Sequence, residues 1–149
     1  MTESLFQEPR RRGRQITLAF IAAGCLLLAL ALGLGLSDNP PAIILAHLGT
    51  AVLVLAVAHR WRRARSFLIL LAACVAAFFL LVVLHNLFYA LASVYHGVPV
   101  LRHVLVALEL ITFLVAVLVC PSGAVIGALG SAVLGIRHLW RRPARGDPA

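Results

Sequence analysis

FLILLAACVAAFFLLVVLHNLFYALASVYH, running from Phe67 to His96, is the stretch that decides the fold. From Phe67 to Leu84 it holds no charge and no strong hydrogen-bonding group beyond Cys74. His85 and Asn86 then interrupt, and apolar character resumes to Ala92. A membrane span needs about 20 apolar residues at a rise of ~1.5 Å each, so this stretch reads as a transmembrane helix with a polar interruption. An imidazole and a carboxamide without partners are costly in hydrocarbon. His85 and Asn86 are therefore expected to face something other than lipid.

Working outward, the whole chain has the same character. Of its 149 residues, 62% are hydrophobic and its mean hydropathy is +1.02, against roughly 45–50% apolar in soluble domains. The net charge of +8 comes from 13 arginines with no lysine. They lie almost entirely in three clusters between apolar runs, where charge sets topology before it suggests any nucleic acid. No aromatic or groove-reading element accompanies them, so nucleic-acid binding is not expected. The Ala/Leu/Arg bias points to a GC-rich bacterial or archaeal genome. Cys25, Cys74 and Cys120 show no CxxC and no partner at close spacing, so they read as small buried hydrophobes rather than a disulfide framework, a zinc site or a redox dithiol.

The expected class is an all-α integral membrane protein, a four-transmembrane-helix bundle with a further Gly-rich C-terminal helix. Residues 1–15 form a basic segment ending in Arg10, Arg11, Arg12 and Arg14. The first span, about 16–36, is too long for a signal-peptide core. It carries Thr17, Gly24, Ala31 and Asp38 at seven-residue spacing, a small-residue face for close packing. Ser37-Asp38-Asn39-Pro40-Pro41 is a turn. The second span covers about 42–58, with Pro41 near its first helical position, and a basic turn from His59 to Arg65 follows. The third and fourth spans cover about 67–93 and 100–120, joined by a turn at His96-Gly97-Val98-Pro99.

The piece 121–136 is short for a span of its own, and Gly123, Gly127, Gly130, Ser131 and Gly135 line one of its faces. Four crossings put twelve arginines on one side and only Arg102 on the other. A fifth crossing would make the split eight against five. The positive-inside rule then predicts four crossings with both termini cytoplasmic, in the inner membrane of a prokaryote. Residues 121–136 become a re-entrant or interfacial helix or a kinked extension of helix four, and 137–149 a basic tail. Trp61 and Trp140 beside basic clusters suit interface anchors.

With that topology each polar residue acquires a depth. Counted from the helix ends, His47, His85 and Glu109 fall in one layer in the outer half of the bilayer, with Asp38, His96, Arg102 and His103 capping it. On helix three, Cys74, Phe78, His85, Tyr89 and His96 share a stripe; on helix four Arg102, Glu109, Phe113, Ala116 and Cys120 share another, with His103 pointing away. His85 and Glu109, joined by a short connection, are the expected contact pair, supported by Asn86, Tyr89 and Thr112.

Three readings follow. In the first, a protonated Glu109 exchanging hydrogen bonds with His85 or Asn86 holds helices in register, in a non-enzymatic accessory or structural protein; such bonds contribute about 0.6–2 kcal/mol. In the second, the intramembrane acid and histidine mark a path for a proton or cation in a small coupled transporter. In the third, His47 and His85 ligate a haem, or the His/His/Glu set a transition metal, although no cofactor is the primary expectation. No nucleotide-binding, zinc-protease or nucleophile-elbow pattern appears, so the sequence leans away from an enzyme. Expected partners are the bilayer and a second copy or another membrane protein. Arg60, Arg62, Arg63, Arg65, Arg141 and Arg142 are candidate contacts to anionic lipid head groups.

Overall fold

The structure, a computed structural model, describes residues 3–36 and 39–140, with side chains from residue 13 onward apart from 139. Among these residues the chain is entirely helical: α1 (Glu3–Leu34), α2 (Pro40–Ala58), α3 (Ala64–Val94), α4 (Pro99–Leu114) and α5 (Cys120–Trp140), with a π-helical turn over Val115–Val119 joining the last two. Four stretches are long and apolar enough to cross a membrane: Gly13–Leu34, Pro40–Ala58, Ala64–Val94 and Pro99–His138. Pro40 and Pro99 each open a helix, where a missing N–H removes no intrahelical bond. Helical geometry begins earlier than the apolar run in α1, so much of the basic segment 1–15 is already wound into it.

Of the alternatives for 121–136, the structure has the extension of helix four and not a separate re-entrant or interfacial helix. Cys120–Trp140 continues α4 without a break, and Pro121 lies inside this long helix instead of starting a new one. A proline in a helix interior removes the donor for the carbonyl four residues earlier and crowds it. The wider π-helical turn just before Pro121 gives that ring room, and such turns are a recognised cause of local change in helix course.

The helices pack in a row. α1 lies along α2; α2 touches the π-helical turn and α5; and α3 packs against α4 and α5. α1 and α3, at the two edges, make no extensive contact with each other. Small residues occupy the contacts: Ala31, Ala42, Ala46, Ala56, Ala58, Ala92 and Ala116 are buried, while among the described residues no large side chain is completely enclosed. Leu, Val and Phe side chains such as Leu32, Phe79 and Val83 point outward. Small side chains between helices and large apolar ones outside is the arrangement expected where lipid is the solvent and close backbone approach replaces the hydrophobic effect.

Two glycine-lined crossings fix the row. A Cβ added at Gly24 would lie 3.0 Å from the Gly49 carbonyl oxygen, and one at Gly49 equally 3.0 Å from that of Gly24. On the other side, Gly127 faces backbone: an added Cβ would meet Leu71 N and Phe67 O at 2.8 Å. Gly123 receives the Cys74 thiol and Gly130 the Phe67 ring. The small-residue face of α1 thus packs on α2, and the Gly-rich face of α5 on α3.

Candidate functional site

Contacts between helices give the polar residues their true heights. His85 on α3 reaches α4, with Nδ1 3.2 Å from the Glu109 carbonyl oxygen. Its ring lies 5.3 Å from that of Phe113. His47 on α2 reaches the π-helical turn, with Nε2 3.2 Å from the Val117 carbonyl oxygen. Glu109 and Val117 are eight residues apart on one continuous helix, about 12 Å at ~1.5 Å per residue. The three groups expected in one layer therefore occupy two. His85 and Glu109 stand level with the start of α2, because Pro40 precedes His47 by seven residues as Glu109 precedes Val117 by eight.

The lower level is the more tightly built. Pro121 has no N–H to give to Val117, four residues before it, so that carbonyl lacks its α-helical donor. The His47 ring supplies one from a different helix. His47 Nδ1 also lies 2.9 Å from Ile43 O, but a neutral imidazole carries a single N–H. Ile43 O is the acceptor that the His47 backbone N–H serves in a regular α-helix, so the Nε2–H tautomer, aimed at Val117 O, favours the carbonyl without its α-helical donor. The link is reciprocal, since Ser122 Oγ donates to His47 O at 3.4 Å. Thr50, one turn on, is buried and donates to Ala46 O.

At the upper level, Thr112 Oγ1 lies within donating distance of Leu108 O, 2.8 Å, and Glu109 O, 2.9 Å. His85 thus meets Glu109 through the backbone oxygen. Among the described residues the Glu109 carboxyl has no hydrogen-bonded or ion-paired partner; it borders an open cavity of about 340 Å³ with His85, Val106, Leu110 and Phe113. Asn86 Nδ2 donates to Val82 O at 2.7 Å, and Tyr89 is exposed. His96 and His103 turn back to Ser93 O and Pro99 O of their own segments, and Arg102 is exposed. Asp38, Arg141 and Arg142 lie outside the described residues.

No protein-family model matches the chain, and no curated protein or solved structure is similar to it. Its chemistry is accordingly judged on its own residues. Every side-chain hydrogen bond named above runs to a backbone carbonyl. Among the described residues no three of His, Cys, Asp and Glu gather in a way that would hold a metal ion. His47 and His85, the haem pair considered from sequence, sit on different levels and face different carbonyls.

Three features escaped the sequence reading. Cys74 and Cys120, 46 positions apart, line one apolar cavity of about 330 Å³ with Phe78, Phe79 and Pro121; no side chain of that lining is a base, and both thiols are free. His59 places its ring 5.7 Å from Phe20 of α1, with Nε2 buried and unpartnered. Pro121 was legible in principle: a proline within an apolar run orphans a carbonyl at a known position, and a histidine at membrane depth is a natural donor for it.

Proposed function

We propose that this chain is a small non-enzymatic multi-pass membrane protein of accessory or structural type, its arginine-rich end in the cytoplasm of a prokaryotic inner membrane. The observation that carries this reading is the use of its polar side chains. His47 and His85 reach carbonyls of a neighbouring helix, while Thr50, Asn86 and Thr112 turn to carbonyls of their own, so the polar groups serve the backbone and form no chain of side chains along which a proton would pass. The orientation rests on the arginine clusters, which four crossings bring to one end.

A second reading, a proton- or cation-coupled transporter centred on Glu109, draws support from the unpartnered carboxyl beside a cavity and from the rarity of such groups in spans. Against it stands the height of Glu109, level with the start of α2 and not midway along it. One experiment separates the two. In proteoliposomes carrying a pH-sensitive or sodium-sensitive dye, the wild-type chain and Glu109→Gln should hold imposed gradients equally well, with melting temperatures alike. Gradient collapse by the wild type, lost in a Glu109→Gln variant that melts normally, would replace the structural reading with the transporter.

A further inference from the structure

At the opposite end of the helices from Glu109, the α2–α3 turn meets the last turns of α5. Arg62, Arg63 and Ala64 from the turn, with Leu134, Arg137 and His138 from α5, line a cavity of about 520 Å³. Three guanidiniums and an imidazole share this wall, and none of the lining residues is acidic. Glu109 is the one carboxylate among the described side chains. It lies 28 residues from Arg137 along one helix, about 42 Å away. The cations therefore have no described counter-charge in reach.

Other features of the same place favour an anion of one kind. Arg63 is the N-cap residue of α3 and makes no side-chain capping bond, and no acidic residue occupies the first turn. The free N–H groups of a helix start, with its positive dipole end, therefore open beside the arginines. Guanidinium groups bind phosphate by paired N–H donors. Ala64 and Leu134 give the cavity an apolar side. Trp61, set edge-on to Phe67 at 5.3 Å between ring centres, fixes the turn that presents Arg62 and Arg63. Tryptophan beside basic residues is what the boundary between acyl chains and head groups selects.

We infer that the α2–α3 turn and the end of α5 together form a phosphate site that takes the head group of an anionic phospholipid, with Arg62, Arg63 and Arg137 on the phosphate and Ala64 and Leu134 against the glycerol and first methylenes. The site ties the α2–α3 connection to the far end of the long helix, a place where the described residues supply only like charges.

The test uses the full chain purified in non-ionic detergent, with lipid binding followed by native mass spectrometry and melting temperature. Phosphatidylglycerol should bind at least about ten-fold more tightly than phosphatidylcholine and raise the melting temperature. Arg63→Gln with Arg137→Gln should weaken phosphatidylglycerol about 25-fold, roughly five-fold per arginine. Lysine at both positions should retain most of the binding, which separates lost charge from lost fold. Arg102→Gln, at the other end of the molecule, should change nothing. Equal binding of the two lipids, or an unchanged affinity in a folded glutamine variant, would overturn the assignment. Millimolar inorganic phosphate binding alone, and displacing the lipid with the same arginine dependence, would overturn the lipid in favour of a free anion.

Discussion

Between α1 and α2 a glycine faces a glycine, whereas between α5 and α3 three glycines face a thiol, the main chain and an aromatic ring in turn. At the first crossing, Gly24 and Gly49 each approach the other's carbonyl, and the neighbours that crowd them are chiefly leucines: Leu53 over Gly24, Leu27 and Leu28 over Gly49. At the second, Gly123, Gly127 and Gly130 receive Cys74, the α3 backbone and Phe67 in turn. One contact is a point of closest approach with movable surroundings. The other is a groove that fits a particular ridge, and at its centre the opposing atoms are main chain. The comparison teaches that glycine content alone does not say how much a membrane contact tolerates; the rigidity of what lies opposite does.

The sharpest way to break the comparison is Gly127→Ala. Its methyl would press on Leu71 N and Phe67 O, neither of which can turn aside. Overpacking of this kind costs about 1–3 kcal/mol, and the upper end is expected here, read as a lowered melting temperature in detergent. Gly135→Ala serves as the control, because nothing lies within 4 Å of its added Cβ. A smaller loss, about 1 kcal/mol, should follow Gly24→Ala, since Leu53 has rotamers to adopt. If Gly24→Ala proves the worse of the two, main-chain rigidity is not what separates the crossings.

The smallest expected effect concerns the bond that joins the two halves. His47→Ala removes the donor to Val117 O and should cost about 0.6–1.7 kcal/mol, the range of such bonds in membranes. In a Pro121→Ala background the backbone N–H returns to serve that carbonyl. The His47→Ala cost should then fall by at least half in a double-mutant cycle. An undiminished cost would mean that His47 acts through packing alone.

Much of the fold was open to reading. Apolar length set the four spans, Pro41 marked the start of the second to within a residue, and the Gly123, Gly127, Gly130 spacing announced a close-packing face. The depth of the polar groups was not readable, because counting inward from helix ends assumes that the ends are level. Here α2 has 19 residues, while the unbroken helix from Pro99 to Trp140 has 42, so α4 begins about 15 Å beyond α2 and carries His85 and Glu109 out with it. The continuity through Pro121 was hidden for a different reason: a proline signals a break locally, and only a wider turn with an outside donor makes it tolerable. That donor is His47, 74 residues away in the chain.

The π-helical turn at Val115–Val119 amounts to a single residue more than an α-helix would place there. A helix takes up one residue too many by widening a single turn, so deleting one of the five would let that turn close to α-helical pitch with Gly123, Gly127 and Gly130 still on the α3 ridge. What would be lost is slack: the Pro121 ring would then crowd the carbonyl before it. The turn works as an expansion joint, taking up length in one place so that the packed faces on either side stay aligned.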